Sequence, residues 1–486
     1  MRFRTHDLIR QARFDEAIQQ LNRQIKAGEI GPDSFRFLGF CHFRNNQNAM
    51  ANKWLRASLI VQPDDKQSWL ILAKLNVEHS TQYRKHALLL APDISELWFE
   101  QGVQDEINEK LNEGFKSYQR ALICKPEGTD AYTNLSMLSL QLGKERLARR
   151  VSQTGLCLAP SALKLRNNSG LIHLSTEHFD IGWRDYAYRR KPEFPLLNPD
   201  GLEVAEWSGE SLYDRTVALF GEQGIGDQFM FLSLLPEALK RSRDVILVLG
   251  DRLINVVRLG LPDITIVAES SLDIKPTLPN AVDFKLALGD LPRALGLFTH
   301  ANFLPSPWLK VPDNLRATYR QKLEAHFPNA KRFIGLSWKT DSAKQAGEKS
   351  IPPALWGPLF QQPNTVFVDL QYGSTAEEVS HFSNLGPSPF FQDPELDRFN
   401  DFVGLSAMIS SLDEVISVAN LTPQLSGSIG IKIHVLLPEN PQWPWGRRNS
   451  KSRWHPNTLI YRKSETLPSW KSILDVVAQD LHNSTS

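Results

Sequence analysis

Four prolines, Pro63, Pro92, Pro126 and Pro160, each close an apolar segment of helical spacing, at intervals of 29, 34 and 34 residues. A chain that repeats at such a period stacks like units, each burying its face on the next, instead of folding around one centre. With each proline counted as repeat position 32, position 4 is always aromatic: Phe35, Trp69, Trp98 and Tyr132. Position 8 is always small (Gly39, Ala73, Gly102, Ser136), and so is position 27 (Ser58, Ala87, Ala121, Gly155). Small residues let paired helices approach, and the aromatic fills the gap between neighbours. The second repeat is five residues short, which predicts a truncated helix or a tightened turn near Ser80. Residues 6 to 28 read as a partial repeat, with Ala17 and Leu21 at helix-pair positions. Leu171 to Arg190 read as a final one, with Gly182 and Tyr186 in the small and aromatic slots.

This pattern resembles a tetratricopeptide array, expected over residues 1–190 as a curved helical solenoid. Its concave face either binds a protein or peptide segment or only caps the domain behind it.

Around residue 191 the texture changes to Lys191-Pro192-Glu193-Phe194-Pro195 and Asn198-Pro199-Asp200-Gly201, a linker by composition over 191–214. Beyond it, short β-rich runs alternate with helical stretches. They are Thr216–Phe220, Val245–Leu249, Thr265–Val267, Val282–Leu286, Phe333–Trp338, Val366–Leu370, Val415–Val418 and Ile433–Leu437. Such alternation predicts parallel sheets with crossover helices, here enough for two lobes, 215–315 and 316–486. The joint is expected in a helical linker, Leu309 to Lys331. Two facing α/β lobes imply a cleft lined by the carboxyl ends of their strands.

Each lobe offers a candidate anion site. Gly221-Glu-Gln-Gly-Ile-Gly-Asp227 follows the run Val217–Phe220 and opens a helical segment. Its glycines let the backbone approach a ligand, and a helix N-terminus presents unpaired N–H groups to negative charge. An Asp at that mouth disfavours phosphate, so Asp227 reads as a base or a hydroxyl-binding group; the plain alternative is a tight turn with Asp227 as N-cap. In the second lobe, strand Val415–Val418 runs into Ala419-Asn420-Leu421-Thr422-Pro423-Gln424 and a small-residue helix, Leu425–Gly430. Asn420 or Thr422 is the expected N-cap, with Pro423 at the first helical position and a diphosphate favoured by the dipole. An ordinary capped helix is the alternative.

The whole chain resembles a bacterial group in which tetratricopeptide repeats precede a GT-B glycosyltransferase-like region related to the lipopolysaccharide heptosyltransferases. The resemblance rests on Gly182-Trp183 with Tyr186, Gly221–Asp227, Leu291-Pro292-Arg293 and Gly335-Leu336-Ser337-Trp338. It continues through Lys349-Ser350-Ile351-Pro352 with Trp356, Leu370-Gln371-Tyr372-Gly373, the Leu425–Gly430 helix, and Trp443-Pro444-Trp445-Gly446 with Trp454. It implies a fold of a helical solenoid followed by a two-lobed, double Rossmann-like region. It implies a catalytic base at Asp227, taking the acceptor's proton in an inverting transfer. It implies Lys349, assisted by Lys339, against the leaving diphosphate, and Glu377 or Glu378, after Tyr372-Gly373, on the nucleotide ribose. Gln223, Gly224 and Gly226 of the first turn, Ser337 of the second lobe and the Asn420–Thr422–Gln424 turn complete the expected donor and acceptor contacts. Two positions depart from the pattern. The related chains commonly carry an Asp before the Asn/Thr position and a His four residues on, where this sequence has Ala419 and Gln424.

Charge adds no nucleic-acid footprint: 55 basic side chains face 54 acidic ones, a net charge of +1. Cys41, Cys124 and Cys157 match no zinc or disulfide spacing, and no apolar run approaches membrane-spanning length, so the expectation is a cytoplasmic protein. A dinucleotide fingerprint is disfavoured, because the glycine turn lacks the full spacing and Leu249-Gly250-Asp251 is the nearest approach to its acidic residue. Trp443, Trp445 and Trp454, among Arg447, Arg448, Lys451 and Arg453, form either a sugar-stacking lip or a brace under the C-terminal helix. The expected function is sugar transfer from a nucleotide-sugar co-substrate to a protein or glycan acceptor recruited by the repeats, with no metal and no cofactor. A non-catalytic interaction protein with a degenerate glycosyltransferase-like region is the alternative.

Overall fold

The structure is a computed structural model that describes residues 5–31, 33–75, 80–189, 200–275, 277–303, 305–340 and 346–484. Residues 191–199 of the expected linker and the turn just before Ser80 lie outside the described residues. The chain forms two compact units, residues 1–168 and 169–486. No helix among the described residues is long and apolar enough to cross a membrane.

The first unit is a run of paired helices, as its repeat requires. They are α1 (Thr5–Arg10), α2 (Phe14–Lys26), α3 (Ser34–Arg44), α4 (Asn48–Val61), α5 (Lys66–Lys74) and α6 (Ser80–Leu90). Then come α7 (Ser95–Ile107), α8 (Leu111–Cys124), α9 (Thr129–Gln141), α10 (Glu145–Leu158) and the start of α11 (Leu163–Ser175). The short second repeat has its first helix cut back: α5 has 9 residues where α7 and α9 each have 13. The aromatic slot has a recurring job. Trp69 and Trp98 each donate an indole N–H at 2.8 Å to the carbonyl of the proline six residues before. Arg166, in the same slot after Pro160, repeats the bond with its Nε at 2.7 Å. The small slots mark where helices touch. A methyl added at Gly102 would meet the Tyr118 ring at 2.6 Å, and one at Gly39 would meet Leu55 Cγ at 2.5 Å.

The last helical pair, α11 and α12 (Phe179–Tyr186), was read from the sequence as the final repeat; from Ser169 onward it lies in the second unit. At Gly170 a methyl would stand 2.5 Å from Tyr186 N and 2.8 Å from its Cα. Backbone cannot yield as a flexible side chain does. Gly170→Ala is therefore expected to lower stability by about 1–3 kcal/mol through overpacking, more than alanine's gain of about 1 kcal/mol over glycine in a helix. Urea unfolding measures this, and an unchanged midpoint would show that α12 can shift without cost.

Two parallel sheets build the rest. The first holds β1 (Ala205–Glu206), β2 (Thr216–Phe220), β3 (Asp244–Leu249), β4 (Thr265–Ala268) and β5 (Phe284–Ala287), in the order β1-β5-β2-β3-β4. The second holds β6 (Arg332–Ser337), β7 (Thr365–Asp369), β8 (Phe390–Phe391), β9 (Glu414–Val418), β10 (Lys432–Leu437) and β11 (Thr458–Arg462). Its order is β11-β10-β9-β6-β7-β8, the doubly wound arrangement seen from the last strand. All eight expected strands are present. The short edge strands β1 and β8, and β11, had escaped notice. Every β6, β7 and β9 side chain is buried, as central parallel strands covered on both faces require. The fold is thus a helical repeat array followed by a two-lobed double Rossmann-like region.

The lobes are stitched together near the helix Leu421–Ile429. Trp308 and Leu309 donate their backbone N–H groups to the Ser428 carbonyl at 3.0 and 2.9 Å, and the Trp308 indole donates to Phe229 O at 3.1 Å. Trp445 and Trp454 are buried, and Trp454 meets Trp183, Phe231 and Phe303 edge-on at 4.8–6.2 Å. Trp454 is a brace that joins α12 to the two lobes rather than lying under the C-terminal helix, while Trp445 packs within the second lobe beside Ile433, Val435 and Ile460.

Candidate functional site

Each sheet has one place where successive connections leave in opposite directions. It falls between β2 and β5 in the first sheet and between β6 and β9 in the second. At such switch points the carboxyl ends of the strands open the crevice in which α/β sheets bind ligands. The first crevice is bounded by the Gly221–Asp227 turn after β2 and the Leu288–Asp290 turn after β5; the second by Ser337–Lys339 after β6 and Ala419–Asn420 after β9. The two meet: a methyl at Gly226 would lie 3.6 Å from Gln424 Cγ and 3.9 Å from Leu421 Cα.

The glycine turn is held from two sides. Gly221 N–H donates to Val248 O at 2.7 Å, continuing the sheet. Gln223 takes a left-handed backbone, φ 61°, that a side chain rarely adopts, and its amide N–H donates to Tyr186 Oη at 2.7 Å. Glu222 turns to the neighbouring loop, where it accepts from the Gly289 N–H at 3.0 Å and pairs with Arg189. Arg189 also reaches Asp290 at 2.7 Å and lies 4.2 Å over the Tyr186 ring. A methyl at Gly289 would meet Glu222 Oε1 at 2.5 Å and Arg189 Nη2 at 2.6 Å, so a larger residue there would push this ion pair aside.

Asp227 is the third residue of the helix Ile225–Leu232, and Gly224, not Asp227, is the N-cap. Its carboxylate accepts from the Gly224 N–H at 3.3 Å. Burial, reinforced by Glu222, raises the Asp227 carboxyl above its ordinary range, against the pull of the Gly224 N–H, Lys349 and Arg189. Lys349, from the second lobe, feels Asp227 in return. It is only 5% exposed, and burial pushes its ammonium down to about 8 although Asp227 and Glu348 hold it up.

The second crevice is a polar floor built around two amides. Gln371 Oε1 accepts from Ser337 Oγ (3.0 Å) and from the Trp338 and Lys339 N–H groups (both 2.9 Å). Asn420 donates to Ser337 Oγ at 2.7 Å and to Lys339 O at 2.9 Å, and caps the next helix by accepting from the Thr422 N–H at 3.0 Å. Pro423 is therefore the third helical residue rather than the first. It is tolerated there because N–H groups of the first turn have no acceptor within the helix. With Thr422 capped and Pro423 lacking a proton, Leu421 N–H is the remaining donor of the first three positions. Gln424 is buried and accepts from His455 Nε2 at 2.6 Å. Burial pushes His455 down to about 3, so it is a neutral donor; it reaches the position the sequence pattern reserves for a histidine, but brings no charge.

Other expected contacts are already engaged. The Lys339 ammonium is paired with Glu378 at 2.8 Å, and Trp338 Nε1 donates to the same carboxylate at 3.2 Å. Burial favours the neutral Glu378, but Lys339 and the Thr375 N–H outweigh it and hold the carboxyl below its usual range. Glu377 is exposed in the first turn of the helix Ala376–Ser383. Gly373 is left-handed at φ 63°, and the half-buried Tyr372 ring lies 6.4 Å from Phe399. Sequence reasoning misses Arg189, Gly289, Asp290 and His455, and gives Glu222 and Gln371 no role beyond their motifs. Each sits beside a residue that was noticed (Tyr186, Gln223, Leu291, Tyr372, Trp454), but nothing local reveals which partner it meets 30 to 100 residues away.

No family model matches the chain. It is 26% identical over 470 residues to Protein FlbA of Caulobacter vibrioides, covering 92% of this chain and 78% of that protein. Among solved structures, a glycosyl transferase family 9 protein from Veillonella parvula aligns over 57% of this chain and 100% of its own, with 11% identity and a TM-score of 0.43. A thermophilic TPR protein of Thermus thermophilus aligns over 35% of this chain and 95% of its own, with 16% identity and a TM-score of 0.27.

Proposed function

We propose that this protein is a glycosyltransferase that moves a sugar from a nucleotide donor to a protein or glycan acceptor recruited by the repeat array. The observation that carries the reading is that the buried Asp227 and Lys349, from opposite lobes, lie near enough to feel each other's charge where two switch-point crevices meet. In the reaction, the acceptor hydroxyl gives its proton to Asp227 as its oxygen bonds to the anomeric carbon. The bond from that carbon to the donor phosphate breaks, and the nucleoside diphosphate leaves with the electron pair. Lys349 meets the charge that develops on the departing phosphate. A base with a raised pKa suits the first task, since it holds the proton better at the moment of attack.

One set of contacts favours a non-catalytic reading. Lys339, Asn420 and Gln424 are already satisfied by Glu378, Ser337 and His455, so a diphosphate would compete with bonds in place. Calorimetry against UDP, GDP, ADP, CMP and dTDP, followed by their sugar conjugates, separates the two. Saturable binding of one nucleotide and turnover of its conjugate are expected; silence across the panel would leave the lobes as a scaffold.

A further inference from the structure

The second helix of each repeat carries an apolar side chain turned to solvent in its last turn. Three residues before the four repeat prolines stand Ile60, Leu89, Ile123 and Cys157. The first three are 82%, 79% and 77% exposed, and Cys157 is exposed as well. Apolar residues scattered singly over a surface are ordinary. A column repeated at the period of the array is not scatter.

The same helices carry cations one and two turns earlier. Lys53 and Arg56 precede Ile60 by seven and four residues, and Lys85 precedes Leu89 by four. Lys116 precedes Ile123 by seven, as Arg150 precedes Cys157. Spacings of four and seven keep side chains on one helix face. All five cations are exposed, and none is in an ion pair among the described residues. Helices α4, α6, α8 and α10 together hold nine Lys and Arg against Glu113 and Glu145, in a chain that as a whole is balanced at 55 to 54.

We propose that this face of the array docks an acidic polypeptide segment carrying apolar side chains at intervals, laid across the second helices of the four repeats. Charge complementarity sets the sign of the occupant, and the apolar column sets its pattern. A segment of chain fits better than an anionic bilayer, because each repeat rotates the face a little about the solenoid axis. An extended chain follows that rotation; a flat surface meets only part of it. The docking uses no residue of the two-lobed unit, so it stands or falls apart from sugar transfer.

The test uses the full chain and a fluorescent peptide of five Glu-Leu-Asp repeats, with five Glu-Ser-Asp repeats as its polar counterpart. Anisotropy should show saturable binding of the first and weaker binding of the second. Affinity for the first should fall at least about tenfold in Ile60→Ser/Leu89→Ser/Ile123→Ser, and by as much in Lys53→Glu/Lys85→Glu/Lys116→Glu. These positions are exposed, so both variants should melt with the parent protein and keep its response to nucleotides. No saturable peptide binding, or equal binding by the parent and both variants, would overturn the proposal. So would sedimentation with phosphatidylglycerol vesicles, lost in the same variants, while the peptides stay silent.

Discussion

Asp227→Asn is expected to bind nucleotide as the parent protein does and to lose about 100- to 10,000-fold in turnover, the usual contribution of a positioned general base. The substitution keeps the volume of the side chain and an oxygen for the Gly224 N–H, so the helix start survives. What it removes is the group that takes the acceptor's proton. The pH dependence carries a second signature. Because burial raises the Asp227 carboxyl, its basic form, and with it the rate, should grow as pH climbs through that raised pKa. At the other end, Lys349 loses its proton near 8, so the rate should fall again on the alkaline side. Calorimetry beside a turnover assay checks the division of roles. Loss of nucleotide binding in Asp227→Asn would place Asp227 in donor binding and sink its assignment as base.

Lys349→Met should do the reverse, weakening nucleotide binding while stabilising the fold. A buried lysine whose pKa falls to about 8 is held charged at neutral pH at a cost of about 3 kcal/mol, at roughly 1.4 kcal/mol per pKa unit. The sign follows from proton counting. Between about 8 and the ordinary lysine value near 10.4, the unfolded chain binds the proton that the folded chain has released. Stability from this group therefore rises with pH across that window, and the full cost is present below it. Methionine nearly conserves the volume and removes the charge. Its advantage in melting temperature should be several degrees at pH 7 and should shrink towards pH 10. A variant less stable than the parent at neutral pH would mean that contacts of the ammonium outweigh its burial. A nucleoside diphosphate would bring further negative charge to this ammonium, so above pH 8 its binding should draw a proton onto Lys349. Calorimetry in buffers of different ionisation heat reads that uptake directly.

The architecture was legible because it is periodic. Proline and aromatic positions recur in the array, and short β-branched runs such as Val245–Leu249 and Val415–Val418, alternating with helical stretches, read as buried parallel strands. What periodicity cannot show is pairing across the fold. Glu222 looked like one residue of a glycine turn, and only the topology of β2 and β5 brings it to Gly289 and Arg189. Lys339 looked free for phosphate until the helix after β7 delivered Glu378 to it. Trp454 advertised itself by size, while His455 beside it makes the contact that fixes Gln424. Pro423 was misplaced by two positions because the choice of N-cap depends on Asn420 being anchored to Ser337, a strand away.

The clasp of α12 on the glycine turn bears on how such a chain could be recombined. Tyr186 and Arg189 belong by sequence to the last repeat, yet they hold Gln223 and Glu222 in the first lobe. A graft that exchanges the helical array for another, or an excision beginning at residue 200, would sever that clasp and free the turn beside Asp227. The seam at which this protein can be cut and rejoined therefore lies ahead of Ser169, and any foreign array spliced onto it inherits α12 as a fixed adaptor.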